Sequence, residues 1–249
     1  AQVKGEGAGV SFDDAQETYT ARYTHETVAL AFAITEEAIE DNLYDRLSAR
    51  YTKALARSMS NAKQVKAIEP LINGLPSTAT FKSGDGVALF STSHTTVSGP
   101  NVANTLATQA DLNETSLEQS MIDIAKMTDE RGLRIAARGL KMIIPSELQF
   151  TAERLMKSQG RTGTADNDIN AIVSMGMVPQ GYRVNNYLTD SDAFYILTDI
   201  PNGMKMFTRA PLTTAMEGDF DTGNVRYKAR ERYSFGVSDF RGIFGVEGA

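Results

Sequence analysis

The sequence predicts an α+β fold built around one unusually long helix and long, partly exposed strands. Three patterns carry that expectation. Side chains alternate from Thr18 to Ile34, apolar residues recur every fourth position from Ile39 to Met59, and a second alternation runs from Val225 to Phe235.

Residues 1–34 read as extended chain. Gly5, Gly7 and Gly9 make the start pliable, and Asp13–Glu17 is a polar turn region. From Thr18 one face carries Tyr19, Ala21, Tyr23, His25 and a run of Thr and Ala. The other changes from polar to apolar near Val28. Such a strand is expected to project at its far end and enter a core at its near end. At about 3.3 Å per residue it reaches roughly 50 Å. A ribbon of that length is not stable alone in water and calls for a partner subunit.

Residues 36–69 read as one helix. Thr35 suits the N-cap, and Ile39, Leu43, Leu47, Tyr51, Leu55 and Met59 form a slowly winding stripe. Glu36, Glu37, Glu40, Asp41 and Asp45 crowd the start, while Arg57, Lys63 and Lys66 lie toward the end, matching the helix dipole. Pro70 marks the expected stop.

Residues 70–113 are loop-rich, with a short strand expected at Val87–Ser91. An amphipathic helix follows over 114–127, then a buried strand at Leu140–Ile144 ended by Pro145, and a helix capped by Ser146 through about Lys157. Ile169–Met175 reads as a short helix, and Tyr182–Leu188, Ala193–Thr198 and Met204–Arg209 as strands. No internal repeat, low-complexity tract or obvious linker divides the chain.

Composition narrows the function. The chain has 249 residues, 41% hydrophobic and 22% charged, which is ordinary for a globular protein. The absence of cysteine rules out disulfides and thiolate zinc sites. No apolar run approaches the roughly 18–20 residues that cross a bilayer, so no membrane partner is expected. No secretory signal is visible, and the opening residue Ala1 leaves the native start open. A net charge of −6 argues against tight DNA binding, though not against enclosing DNA.

Catalytic patterns fail on spacing. His25 and Glu26 lack the second histidine of a zinc protease helix, and no G-x-S-x-G elbow presents a serine to His94. His94 reads as a loop histidine with an ordinary hydrogen bond. Asp166, Asp168 and Asn170 resemble the start of a calcium loop, but Ala171 and Met177 stand where Gly and Glu are needed. Asp190/Asp192 and Asp219/Asp221 read as turns. No phosphate-binding glycine loop occurs. Neither a cofactor nor a metal is expected, and the chain does not read as an enzyme.

The most distinctive charge feature lies on one face of 226–232, where Arg226, Lys228, Arg230 and Arg232 alternate with Tyr227, Ala229 and Glu231. It fits a solvated face, a DNA contact, or an ion-pairing interface with acidic surface on a neighbour. The last is favoured, because residues 1–50 hold ten acids and four bases.

Several long blocks then carry a family likeness: "ITEEAIEDNLYDRLSARYTKALARSMS", "LFSTSH", "KMIIPSELQFTAERLMKS", "GTADNDIN", "NYLTDSDAFYILTD", "MEGDFDTGNVRYKARERYSFG" and "DFRGIFG". Together they resemble the major head subunits of Mu-like tailed bacteriophages and prophages, over essentially the whole chain.

The resemblance implies a Hong-Kong-97-type capsid fold. Residues 1–34 would hold the E-loop and the remnant of an N-terminal arm, and 35–129 the peripheral domain with spine helix 36–69. Residues 130–208 would form the axial domain, and 209–249 the return to the peripheral domain. It also implies a structural protein of the virion, assembled in the host bacterial cytoplasm as pentamers and hexamers. The icosahedral shell would enclose double-stranded DNA without sequence-specific binding. A scaffold or maturation protease and a portal protein are the implied partners. The subunit interface would include Arg22, Tyr23, Glu36, Glu37, Arg226, Lys228, Arg230 and Arg232. Some relatives form a lysine–asparagine crosslink, and no spacing supports one from Lys4. Rival readings are the shell of an encapsulin-like nanocompartment and, more remotely, a soluble hydrolase.

Overall fold

A computed structural model describes Glu6 and residues 17–41, 44–161 and 168–249, with the backbone alone for 44–49. The element order is β1 (Glu26–Ile34), α1 (Glu36–Glu40), α2 (Tyr44–Ile72), α3 (Glu114–Lys126), β2 (Gly139–Ile144), α4 (Gln149–Lys157) and α5 (Ala171–Ser174). Then come β3 (Tyr182–Val184), β4 (Phe194–Thr198), β5 (Met204–Gly218), β6 (Val225–Val237), a 3-10 turn (Phe240–Gly242) and β7 (Ile243–Val246).

These strands form two sheets. One has the order β1-β6-β5, antiparallel throughout, and the other β3-β2-β4-β7. The second sheet holds the main core. Met142, Phe194, Tyr195, Ile196 and Phe244 are fully buried there, and Leu117 and Ile124 of α3 share that core. Helix α3 starts at a reciprocal cap: Ser116 N–H donates to Asn113 Oδ1 (2.8 Å), and Asn113 N–H donates to Ser116 Oγ (3.0 Å).

The three-stranded sheet has its own smaller core. Leu55 and Met59 of α2 bury against Ala229, with Val28 and Phe32 packed alongside. Burying Leu55 and Met59 stabilises this contact by roughly 1.5–3 kcal/mol each. Phe32 stacks on Tyr227 at 4.9 Å between ring centroids. Polar contacts complete the seam. Lys63 Nζ donates to Glu231 Oε1 at 2.5 Å, and Lys66 lies 3.0 Å from Glu26 and 3.3 Å from Glu69.

Several expectations need correction. The spine helix is two helices. Thr35 does cap the first, accepting from Ala38 N–H at 3.4 Å, but α1 closes at Asp41, whose N–H donates to Glu37 O. Continuing the helix would add Asp41/Asp45 to the like-charged neighbours four apart, Glu36/Glu40 and Glu37/Asp41, already present in and beside α1, which disfavours it there. Pro70 does not stop α2, which runs on to Ile72. A proline this near the end removes one backbone bond, and burial of Leu71 offsets that loss. Of the apolar stripe, Leu55 and Met59 are buried and Tyr51 is exposed; the side chains of Leu43 and Leu47 lie outside the described residues.

The projecting strand is also corrected. Only Glu26–Ile34 is strand, and it pairs with β6 of its own chain along its full length. Upstream, Tyr19 Oη donates to Thr95 O (2.8 Å) and Tyr23 Oη bonds Ser238 Oγ (2.5 Å), so the approach to β1 lies along its own chain. The glycines at 5, 7 and 9 and the turn region 13–16 lie outside the described residues.

Val87–Ser91 is not a strand. A single bridge, Lys82↔Ala88, is formed, and side-chain bonds order the segment instead. Asn104 Nδ2 donates to Leu89 O (2.7 Å), Phe240 O (3.1 Å) and Ile243 O (3.3 Å), while its Oδ1 accepts from Ser91 N–H (2.9 Å). Ser146 does not cap α4, which begins three residues later after Leu148 with no side-chain cap. Strand β5 extends to Gly218, nine residues past the expected end, and β3 stops at Val184, short of Leu188. The C-terminal pairing of β7 with β4 was not foreseen.

Candidate assembly surfaces

Strand β6 is the middle strand of its sheet, so its two faces look in opposite directions. Ala229, Glu231 and Tyr233 turn inward and are buried, whereas Arg226, Lys228 and Arg230 are exposed on the outer face. The register fixes their neighbours. Ala33, Ala31, Ala29 and Thr27 of β1 stand opposite Arg226, Lys228, Arg230 and Arg232. On the other side stand Glu217, Ala215, Thr213 and Ala210 of β5. The four bases therefore form a ridge about 20 Å long, at roughly 3.4 Å per residue, above a floor of mostly small side chains.

The ridge is not uniform. Arg226 pairs with Asp219 in the β5–β6 turn, and Thr222 Oγ1 donates to the same carboxylate at 2.7 Å. The Thr222 hydroxyl holds Asp219 below the usual carboxylate range, with Arg226 adding to the effect against a smaller desolvation. Lys228 and Arg230 meet no carboxylate within 4 Å among the described residues. Arg232 is half-buried, and its Nε is buried without a partner.

One end of the same sheet is acidic. Glu36, Glu37, Glu40 and Asp41 are all exposed on and after α1. Glu36 lies against Gly223 of the β5–β6 turn, where φ is +66° and a Cβ would have no room beside the Glu36 carboxylate. Glu217 and Asp221 lie on the strand end and turn there, also exposed. On the outer face, acids thus gather at one end of the sheet, and among the described residues Arg226 is the ridge base that pairs with one of them, Asp219.

Arg22 is exposed. Tyr23 is not free: besides Ser238, it meets Phe207 edge-on at 4.7 Å and covers Gly236. Of the eight interface candidates, the structure groups Glu36 and Glu37 at one end and the four bases on the ridge.

The catalytic alternatives find no matching geometry. His94 Nδ1 faces Asp85 Oδ2 at 2.7 Å, and Nε2 faces Leu89 O (3.2 Å) and Asn104 Oδ1 (3.0 Å). Ser83 bonds Asp85 rather than the imidazole, and the pair is completely buried. No serine is thereby activated by a base. Burial raises the Asp85 carboxyl, but bonds from Ser83, His94 and the Val87 N–H outweigh it and hold the group below its usual range. The His94 ring also stacks on the Phe240 ring at 3.8 Å, and the Arg241 guanidinium lies 4.5 Å from the centre of the Phe240 ring. This buried node was the main feature that sequence reasoning missed.

Glu153, Lys157 and Tyr182 line an open groove, yet they satisfy one another: Lys157 Nζ and Tyr182 Oη donate to Glu153 at 2.5 and 2.7 Å. Of the calcium-loop residues, Asp166 lies outside the described residues. Asn170 caps α5 and donates to Leu155 O (2.7 Å), a structural task. Among the described residues no cluster of acids or histidines suits a metal.

Comparison with known proteins agrees. The sequence profile of a family described as phage capsid protein matches residues 18–246. The fold is similar to that of Mycobacterium phage Patience (TM-score 0.60, 10% identity, covering 97% of this chain and 78% of that one). It is also similar to the capsid of Myoviridae phage XM1 (TM-score 0.54, 13% identity, covering 91% and 74%). The capsid of an empty GTA particle gives a TM-score of 0.52 at 14% identity, covering 98% of this chain and 81% of that one. No curated protein sequence matches the chain. The chain belongs to the phage capsid protein family. It is a structural major capsid protein of a phage head, with the mixed α+β capsid fold, and it self-assembles into the virion shell.

Proposed function

We propose that copies of this chain dock by setting the acidic end of one sheet against the basic ridge of a neighbour. The observation that carries this is the exposed pair Lys228 and Arg230, which meets no carboxylate within 4 Å among the described residues, on a chain whose exposed acids Glu36, Glu37 and Glu40 gather past the Arg226 end of the ridge. Single exposed ion pairs contribute only up to about 1 kcal/mol. Many repeated around closed rings fix orientation and reject wrong registers. Arg22 adds a further exposed base upstream of β1, and Tyr23 supports the approach to β1 from within.

Under this reading the subunits form pentamers and hexamers, in the manner of Mu-like heads. They enclose DNA without reading its sequence and use a scaffold or maturation protease and a portal while assembling in the host bacterial cytoplasm. The capsid family points to a structural rather than catalytic role, and the mutual bonding of Glu153, Lys157 and Tyr182 supports that.

Charge reversal tests the docking. Arg230→Glu with Lys228→Glu is expected to lower the yield of closed particles at least several-fold by electron microscopy, with unchanged circular dichroism. Adding Glu36→Lys and Glu37→Lys to the same chain is expected to restore particles. Full assembly by the reversed chain, or no recovery on the swap, would contradict the pairing.

A further inference from the structure

The two outer edges of the three-stranded sheet differ in kind. Strand β5 is guarded: its register with β6 shifts twice between Thr208 and Thr213, Pro211 interrupts its donors, and Lys205, Arg209 and Glu217 place charges along it. These are the usual devices that keep a free edge from recruiting another strand. Strand β1 has none of them beyond Glu26 at its first position. Its nine residues pair with β6 without a register shift, and from Thr27 to Ile34 it contains no charge and no proline. Among the described residues no strand covers its other edge.

The surroundings of that edge also favour a visitor. Ala29, Ala31 and Ala33 are exposed and small, so a second backbone can approach closely on the outer face. Leu30 on the inner face is 44% exposed, although Val28 and Phe32 beside it pack on α2. An uncharged edge with an exposed apolar side chain is a recruiting surface.

We infer that the free edge of β1 pairs antiparallel with β1 of a second copy, joining two sheets as β5-β6-β1-β1-β6-β5. The strand is complementary to itself. A two-fold centred on Leu30 sets Leu30 against Leu30, Val28 against Phe32, Ala29 against Ala31, and Thr27 against Ala33. Apolar side chains thus meet on the helix side and small ones on the ridge side. Glu26 falls opposite Ile34, so no like charges face each other. The two basic ridges end up three strand spacings apart, about 14 Å at ~4.8 Å each. That exceeds the Debye length of ~8 Å at physiological salt, so their repulsion is largely screened. The contact is isologous, unlike the head-to-tail charge docking, and it deepens the shell reading by adding a two-fold joint.

The lack of cysteine makes the test clean. Single replacements Leu30→Cys, Ala29→Cys and Ala31→Cys, with exposed Ser58→Cys on α2 as control, are oxidised mildly at assembly concentration. Leu30→Cys is expected to give disulfide-linked dimers well above the control, since only the residue on the two-fold faces its own copy. Ala29→Cys mixed with Ala31→Cys should crosslink more than either alone, which keeps the test valid should Leu30→Cys fold poorly. Hydrogen exchange gives an independent readout: edge-facing β1 amides should become protected as concentration rises. Crosslinking no greater than the control would overturn the joint. So would β1 protection that is independent of concentration, which would mean that the same chain covers the edge. The charge-swap experiment leaves β1 untouched, so the two contacts fail separately.

Discussion

Lys63 Nζ sits 2.5 Å from Glu231 Oε1, tying the long helix α2 to the middle strand of the ridge sheet. Glu231 is almost fully buried, with its side chain 6% exposed, and Lys63 is about one-third exposed. The lysine also lies 5.3 Å from the centre of the Tyr233 ring. Lys63→Ala is expected to destabilise the folded chain by about 3 kcal/mol, because it strands a buried carboxylate; water reaching Lys63 keeps the loss at the low end of the range for broken buried pairs. Lys63→Met with Glu231→Leu should recover most of it. Urea midpoints of the three chains check the pattern.

The Asp85–His94 pair sets an acid limit. The Asp85 carboxyl titrates lower when folded than when unfolded, so its contribution is complete above the ordinary value of about 3.9 and fades as pH falls through the folded one. Asp85→Asn is expected to lose stability near neutrality and to show a flatter decline below about pH 4 than the parent. Thermal melts from pH 7 to 3 read both effects.

Gly242 and Gly203 touch backbone to backbone. A Cβ on Gly203 would meet Gly242 Cα at 3.0 Å, and one on Gly242 would clash still harder with Gly203. Neither partner is a flexible side-chain end that can swing away. Gly242→Ala should cost at least about 2 kcal/mol, at the upper part of the overpacking range, whereas alanine at exposed Gly218, with nothing near its Cβ, should cost far less. Melting temperatures of the two variants decide it.

Salt should separate the two proposed contacts. The Debye length falls from about 10 Å at 0.1 M to about 3 Å at 1 M. Charge docking at the ridge is expected to weaken over that range, while β1 crosslinking should hold or rise. Particle yield and disulfide yield, measured on the same samples, report them independently.

How much of this was legible depended on the range of the interactions. The alternation of β6 was readable because one face meets solvent and the other meets α2, which is what a two-residue period encodes. The acidic cluster at 36–41 was equally plain, but its consequence, the end of α1 at Glu40, follows from repulsion between neighbours four apart. Strand β5 runs nine residues past Arg209, through Pro211, because its edge position tolerates a residue with no N–H to donate. Tyr23 is expected at a subunit interface, and alternation cannot show that Ser238, 215 residues away, meets its hydroxyl. The His94 node was hidden for the same reason: Asn104 joins it to carbonyls at 240 and 243 that no local pattern can announce. The charged ridge was visible as a pattern. That its floor is mostly alanine and threonine emerged only with the strand register.

Strand β6 is central to its sheet yet follows both its neighbours in the chain. During synthesis β1 and β5 therefore have nothing to bind to each other through until residues 225–237 leave the ribosome. Neither the cationic ridge nor a properly supported β1 border exists on a half-made polypeptide. At the two proposed contacts, recruitment of sister molecules therefore waits until β6 has been made, which keeps shorter nascent fragments out of a growing lattice.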